Sequence, residues 1–174
     1  MNREFDMALK ANPLDRDIQS CLDEVNSEIK ALGAAVERTP RKPILRSRLA
    51  KRYLLLRNYE AAGEQYRKFL ELEPDNAAGW TNLGFCYKEL ERFEKAILAL
   101  KKAIECNAEL VPAYLNLIDV YDRLARSYFM RKEYNLALQT LEKALALVPD
   151  DSDQRDYLEN RRDFVMRAAK EAQR

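Results

Sequence analysis

The chain has 174 residues, of which 47% are hydrophobic and 34% charged, with only 4 glycines and 6 prolines. This composition predicts a helix-rich protein with a packed core and argues against long disordered tracts. Its 30 basic and 29 acidic residues leave no net field that would steer it to nucleic acid or an anionic membrane, and no apolar run approaches the ~20 residues needed to span a bilayer.

Catalytic and metal chemistry are disfavoured by the residue types that are missing. The chain has no histidine, and its three cysteines, Cys21, Cys86 and Cys106, form no C-x-x-C pair. A zinc site therefore lacks its usual ligands, and the commonest general base is absent. An odd number of separated cysteines, together with an amino terminus that lacks the apolar core of a secretory signal, favours a reducing cytoplasm. We expect no enzyme, no metal and no cofactor.

The first predicted element is a helix over residues 14–37, after the turn signal Asn12-Pro13. Its apolar residues follow the alternating spacing of four and three that is typical of a heptad repeat. They are Ile18, Leu22, Val25, Ile29, Leu32 and Val36. Two interpretations stay open. The helix covers the end of a helical stack, or it pairs with a second copy through Ile18, Leu22, Val25, Ile29 and Leu32. The prolines at 40 and 43 end this amino-terminal region, residues 1–42.

Residues 77–107 carry the clearest pattern in the chain. Trp80, Leu83-Gly84 and Tyr87 are followed by Ala96, in the order W-x2-L-G-x2-Y and then a small residue. This order resembles the tetratricopeptide repeat (TPR), a helix pair with a period of about 34 residues. The resemblance implies an all-α, right-handed solenoid. Small residues such as Gly84 and Ala96 would let the two helices of a pair approach closely.

A shift of this frame by 34 residues locates a first repeat at 43–76, in which Tyr53 falls on Tyr87 and Ala62 on Ala96. The reference repeat then occupies residues 77–110. Arg46 stands where the reference has Trp80, which is tolerable in a first repeat that has no preceding TPR to pack against.

The third repeat, residues 111–151, is predicted to be irregular. The frame fits after 34 residues and again after 41, and Tyr114, Tyr121 and Tyr128 recur at the seven-residue spacing. Since seven residues make about two helical turns, the apolar face stays in register. We predict one continuous helix from about 111 to 131 that overruns its neighbours at one end. The alternative is a helix broken around residues 116–120.

The last segment, residues 152–174, is predicted to be a capping helix with Ser152 as its N-cap. Charged residues stand where a further repeat would have to pack, as a terminal helix of a repeat stack requires. One apolar face is expected from Tyr157, Leu158, Phe164, Val165 and Ala168.

The resemblance also implies a binding surface, because in the TPR family the first helices of successive repeats line a concave groove for peptides or helices. Carried over to this sequence, the groove residues are Arg48, Lys51, Leu54, Leu55, Asn82, Phe85, Lys88, Asn116, Arg123, Phe129 and Met130. The large apolar members of this set suggest a binding surface. The competing interpretation is that a terminal helix folds over them.

Some TPR cochaperones hold a partner's terminal carboxylate in a clamp of five polar side chains. The corresponding residues here are Ser47, Lys51, Asn82, Asp119 and Arg123. Asp119 places an anion where the clamp needs a cation, so the sequence argues against a full clamp. A looser preference for an acidic or amphipathic peptide remains.

The leading functional hypothesis is therefore a non-catalytic interaction module, or adaptor, that binds a protein or peptide partner in the TPR groove. We expect neither nucleic-acid binding nor membrane insertion. The alternative is a dimeric chaperone for secreted substrates, since the arrangement of elements is similar to that of type III secretion translocator chaperones. The neutral net charge argues against that alternative.

Overall fold

A computed structural model describes residues 13–173, with side chains from Asp17 onward. Residues 1–12, which include Asn12 of the predicted turn, lie outside this range. All regular structure within the range is helical, which confirms the predicted all-α fold class. The helices are α1 (Pro13–Arg38), α2 (Pro43–Leu55), α3 (Tyr59–Leu70), α4 (Ala77–Glu89), α5 (Phe93–Cys106), α6 (Val111–Met130), α7 (Tyr134–Leu145) and α8 (Asp153–Ala172). The chain separates into two compact units between Leu72 and Glu73.

The first unit contains α1, α2 and α3, and the carboxyl half of α1 packs on α2. Leu32 and Val36 of α1 are buried against Leu49 of α2, with Ile29 partly buried beside them. The amino half of α1 has no such cover, because Ile18 is 52% exposed. The heptad stripe is therefore divided: its second half serves the core of this unit, and its first half faces solvent.

The turn between the two helices of each pair contains one residue with a positive φ, and the distance between these residues along the chain measures the repeat length. Arg57, Glu91 and Lys132 each adopt a positive φ, of 53°, 54° and 62°. The first two are 34 residues apart and the last two 41 apart. Each follows the end of the first helix of a pair and precedes the start of the second. The seven-residue insertion predicted for the third repeat is thus confirmed between Glu91 and Lys132.

The second unit contains α4 to α8 around one continuous core. Small residues on the second helices, Ala96 and Ala137, are fully buried, and Leu100 and Leu141 fill the space beside them. The predicted continuous helix is confirmed, since α6 runs from Val111 to Met130 without a break. The predicted N-cap of the last helix is also confirmed, because the Ser152 side chain accepts a hydrogen bond from the Arg155 backbone N–H.

The extra length of α6 lies at its carboxyl end. Lys88 and Glu89, the last two residues of α4, form ion pairs with Asp119 and Arg123 of α6. Helix α6 then continues for seven residues after Arg123, to Met130. Seven residues rise by about 10 Å, so two turns of α6 project past the end of α4. We call residues 124–130 the overhang.

The close contact between α4 and α5 generates a prediction at Gly84. A Cβ placed on Gly84 would lie 2.6 Å from Cγ of Leu100, whose side chain is fully buried. Overpacking of this kind costs about 1–3 kcal/mol, against a gain in helix propensity of about 1 kcal/mol. We therefore expect Gly84→Ala to lower the free energy of unfolding by about 1 kcal/mol in urea titrations.

Gly33 provides the matched control, because it also lies within a helix and a Cβ there would meet nothing within 4 Å. Gly33→Ala should raise the free energy of unfolding by up to about 1 kcal/mol, since only the propensity term remains. If both variants changed stability in the same direction, contact with Leu100 would not be the reason that position 84 is glycine.

Candidate functional site

A charge network joins the end of α4 to the middle of α6. The ammonium group of Lys88 lies 2.8 Å from Oδ2 of Asp119 and 3.0 Å from Oδ1 of Asn116. Arg123 lies 3.2 Å from Glu89 and 3.2 Å from Asp119. Lys88 is only 6% exposed. Two cations and two anions are thus paired within the second unit, and Lys88 is held by its own chain.

The ionisation of Asp119 reflects these contacts. Burial by itself would raise the pKa of Asp119, but the hydrogen bond and charge of Lys88, together with the charge and hydrogen bond of Arg123, outweigh it and hold the pKa below its usual value. The carboxylate is therefore ionised at neutral pH. It engages Arg123, the cation that a carboxylate clamp would offer to a ligand, which agrees with the argument against that clamp.

The predicted groove residues differ in how far they are available. In the first unit Arg48, Lys51 and Leu55 are exposed and Leu54 is half-buried. In the second unit Phe85 is half-buried beneath the ammonium of Lys88, which lies 4.8 Å from its ring centroid. Asn82, Asn116, Arg123 and Phe129 are half-buried, whereas Met130 is 78% exposed.

Two clefts flank the overhang. The first has a volume of about 620 Å³ and a mixed polar and apolar lining, with its walls formed by the carboxyl half of α6 and the start of α5. Its lining residues are Glu91, Phe93, Asp119, Arg123, Arg126, Ser127, Met130 and Arg131. The second has a volume of about 480 Å³ and lies between α6 and α8. Its lining residues are Arg126, Phe129, Met130, Tyr157, Asn160, Arg161, Phe164 and Val165. Arg126 and Met130 border both.

A buried carboxylate lies beneath the second cleft. Asp122 is 5% exposed, and its two oxygens receive Arg161 at 2.7 Å and Arg126 at 2.9 Å. The hydroxyl of Tyr157 donates to the same carboxylate at 3.4 Å. One anion therefore holds two arginines from different helices, which fixes α8 against α6 and leaves an excess positive charge at the cleft.

Two models of a known protein family match this chain. Models described as "Tetratricopeptide repeat" match residues 75–150 and residues 46–76, which together make up more than half of the sequence. The chain belongs to the tetratricopeptide repeat family. The resemblance carried by Trp80, Gly84 and Tyr87 is thereby confirmed.

Curated relatives of this TPR chain match about half of it. The "Hsp70-Hsp90 organising protein" of Plasmodium falciparum (isolate 3D7) is 25% identical over 89 residues, which cover 51% of this chain and 16% of that protein. The "Hsp70-Hsp90 organizing protein" of Triticum aestivum is 29% identical over 93 residues, with coverage of 51% and 16%. The match thus spans only a small part of these relatives.

Solved structures share the fold of this TPR chain. The MamA protein superposes with a TM-score of 0.63 at 23% identity, over 90% of this chain and 85% of that one. The Arabidopsis OM64 TPR domain gives a TM-score of 0.52 at 22% identity, over 68% of this chain and 92% of that one. These likenesses extend to the fold alone.

Two observations on the described part of this TPR protein concern thiol and metal chemistry. Burial raises the pKa of the Cys86 thiol to about 12, so it is not a thiolate at neutral pH. Residues 13–173 contain no group of three or more acidic or cysteine side chains that could hold a metal ion. Within the same residues, no helix is both long enough and apolar enough to cross a membrane.

The sequence analysis missed the side chains of α8 that line the second cleft. It expected one continuous apolar face on the last helix, but only Leu158 and Val165 are buried, while Tyr157 is 48% and Phe164 55% exposed. The missed signal was the seven-residue spacing of Tyr157 and Phe164, with Arg161 between them. This spacing places the three side chains on a stripe beside the buried one.

The charge network generates a prediction about stability and pH. Asp119→Asn would leave the buried ammonium of Lys88 without its closest anion, so the free energy of unfolding should fall. Because Asp119 is partly exposed, we expect a loss near the low end of the range for charged hydrogen bonds, about 1.5 kcal/mol at pH 7. Glu105→Gln, which breaks the exposed pair with Lys102, is the control and should have no measurable effect.

The pH dependence distinguishes charge from packing. The pKa of Asp119 is lower in the folded than in the unfolded chain, so its stabilisation is present above the unfolded value of about 3.9 and disappears as the pH falls through the folded value. The difference between the wild type and Asp119→Asn should therefore shrink between pH 6 and pH 3 in urea titrations. A difference that stayed constant over this range would assign the effect to shape rather than to charge.

Proposed function

We propose that this TPR chain is a non-catalytic adaptor that binds a peptide or helix of another protein on the first helices of its repeats. The observation that carries the proposal is the exposure of large apolar side chains at predicted groove positions. Leu55 is 62% and Met130 78% exposed, and both occupy the last residue of a first helix. Exposed apolar groups at recurring positions are typical of a surface that a partner covers.

The relatives support the same proposal. The curated proteins that match about half of this chain are named as organising proteins for Hsp70 and Hsp90, which implies that they bind other proteins. The predicted groove residues Arg48 and Lys51 are exposed cations beside Leu55 in the first unit. A partner segment with apolar and acidic side chains would complement them.

Under this proposal the protein works in a reducing compartment and catalyses no reaction. Cys21, Cys86 and Cys106 are all free thiols, as suits the cytoplasm. The buried Cys86 thiol has neither the exposure nor the low pKa of a nucleophile. The proposed activity is therefore binding, and its partner is a protein.

Affinity purification from the source organism, with mass spectrometry of the bound proteins, tests the proposal. We expect Lys51→Glu combined with Leu55→Glu to reduce the recovery of specific partners at least tenfold, because one change reverses a contact charge and the other puts a charge where an apolar contact was. Lys143→Glu combined with Leu98→Glu is the matched control, since Lys143 and Leu98 are exposed on the second helices of repeats. Equal losses in both variants would contradict a site on the first helices.

Self-association through α1 is a second, separate proposal, favoured by the exposed first half of its heptad stripe. Of the five residues predicted to pair, Leu32 is buried and Ile29 partly buried within their own unit, whereas Ile18 and Leu22 are 52% and 39% exposed. Two exposed apolar residues are fewer than a standard interface of about 800 Å² per partner contains, so we expect any dimer formed through α1 to be weak. Such a dimer should dissociate on dilution. It is the form that a dimeric chaperone for secreted substrates would take.

Light scattering coupled to size-exclusion chromatography, at several protein concentrations, tests self-association. We expect a mass that rises with concentration in the wild type and stays monomeric in Ile18→Lys with Leu22→Lys. Asn26→Lys adds a charge to an exposed position of α1 off the apolar stripe and should behave as the wild type. A wild type that is monomeric at every concentration would remove this proposal and leave the adaptor proposal intact.

A further inference from the structure

We propose that the second cleft of the overhang is a docking site for a protein segment that presents a large apolar side chain next to carboxylates. The residues that carry this proposal are Arg126, Phe129, Met130, Tyr157, Arg161 and Phe164, which we call the overhang site. The proposal rests on the proposed function, namely that the chain binds protein, and it adds where one contact lies and what chemistry the partner has there.

The floor of the overhang site is aromatic. The ring of Phe129 lies 5.3 Å from that of Phe164 and 5.7 Å from that of Tyr134, in tilted and edge-on arrangements. Phe129 is thereby held from both sides by its own chain. Phe164 and Met130 remain 55% and 78% exposed at the border of the cleft. This rigid apolar floor with an exposed border is what an apolar anchor of a partner would cover.

The charge at the rim is positive and has a structural cause. Asp122 is buried and engages both Arg126 and Arg161, so this trio carries a net charge of +1. The network around Lys88, by contrast, has as many anions as cations. Since 52% of the Arg126 side chain is exposed, its guanidinium can bind a further carboxylate while Asp122 keeps it in place. The charge of the site therefore selects an acidic partner.

The shape of the overhang site favours a protein segment over a free small molecule. Its volume of about 480 Å³ exceeds one large side chain, and four of its bordering side chains are about half exposed or more: Arg126, Met130, Tyr157 and Phe164. A small molecule would remain partly in contact with water there. A peptide would fill the cleft with a side chain and cover the border with its backbone. A single surplus charge above an apolar floor is also unlike the extended basic surface that nucleic acid requires.

Methyl NMR of the full chain, labelled at its methionines, reads out this site directly. The chain has four methionines, of which Met130 borders the cleft, and its signal is identified with Met130→Leu. The probe is a short peptide, blocked at both ends, with a Leu-Phe core between aspartates. We expect titration with it to shift the Met130 methyl. Peptides with lysines in place of the aspartates, or Ala-Ala in place of Leu-Phe, should leave it unchanged.

Two variants test the two parts of the site. Arg126→Gln keeps the Asp122–Arg161 pair that fixes α8, and Phe164→Ala shortens an exposed side chain. Each should weaken the affinity for the acidic peptide about tenfold or more, because each removes one class of contact. Lys143→Gln and Leu98→Ala, which remove the same kinds of group from exposed positions of α7 and α5, should bind as the wild type.

Three outcomes would overturn the proposal: no shift of Met130 with the acidic peptide, an equal shift with the lysine peptide, or wild-type affinity for the acidic peptide in Arg126→Gln or in Phe164→Ala. None of these would affect the adaptor proposal, whose test depends on Lys51 and Leu55 in the other unit. If partner capture were insensitive to Lys51 and Leu55 while the peptide still shifted Met130, the groove assignment would fail and the overhang site would remain.

Discussion

The ion pair between the buried ammonium of Lys88 and the partly exposed carboxylate of Asp119 holds the end of α4 against the middle of α6. Lys88 occupies the last turn of α4, and Asp119 lies about three turns before the end of α6. A buried ammonium is costly without its anion, so this pair favours the register that the two helices adopt. With the register fixed, the seven additional residues of α6 project at its carboxyl end. The position of the overhang thus agrees with the register that this contact favours.

The same contact changes the electrostatics of the predicted groove. A groove lined by Lys88 and Arg123 would attract anions if these cations were free, but Asp119 and Glu89 pair with both. Positive charge is instead left at Arg126 and Arg161, which share the buried Asp122. The charges in the middle of α6 are therefore balanced, whereas the overhang keeps a surplus positive charge beside exposed apolar residues.

Close helix packing holds the overhang against the rest of its unit. Gly84 and Ala96 let α4 and α5 approach, while Ala137 and Leu141 of α7 and Leu158 of α8 complete the core around α6. Because α8 is fixed through Leu158 and Val165, its neighbouring stripe of Tyr157 and Phe164 is presented beside Phe129. A helix that closes the stack thereby also forms one wall of a cleft.

Much of the fold could be read from the sequence, because the TPR pattern is a local rule. Trp80, Gly84 and Tyr87 report helix-to-helix packing within about 34 residues, and the tyrosines at 114, 121 and 128 report the longer helix. The capping role of Ser152 is equally local. These features depend on spacing along one or two helices, which periodicity determines.

The candidate site could be predicted only in part, because it depends on which side chains meet across helices. The sequence identified Lys88, Arg123 and Met130 as surface candidates, but it could not reveal that Asp119 and Glu89 pair with the two cations. Nor could it place Arg161 on Asp122, since these residues are 39 positions apart and either could have faced water. The end at which α6 overruns was also undetermined, because both TPR frames fit its sequence. Sequence alone determined the kind of repeat, where local spacing suffices. Only the tertiary structure decided where charge and apolar surface remain free, since that depends on pairing between distant residues.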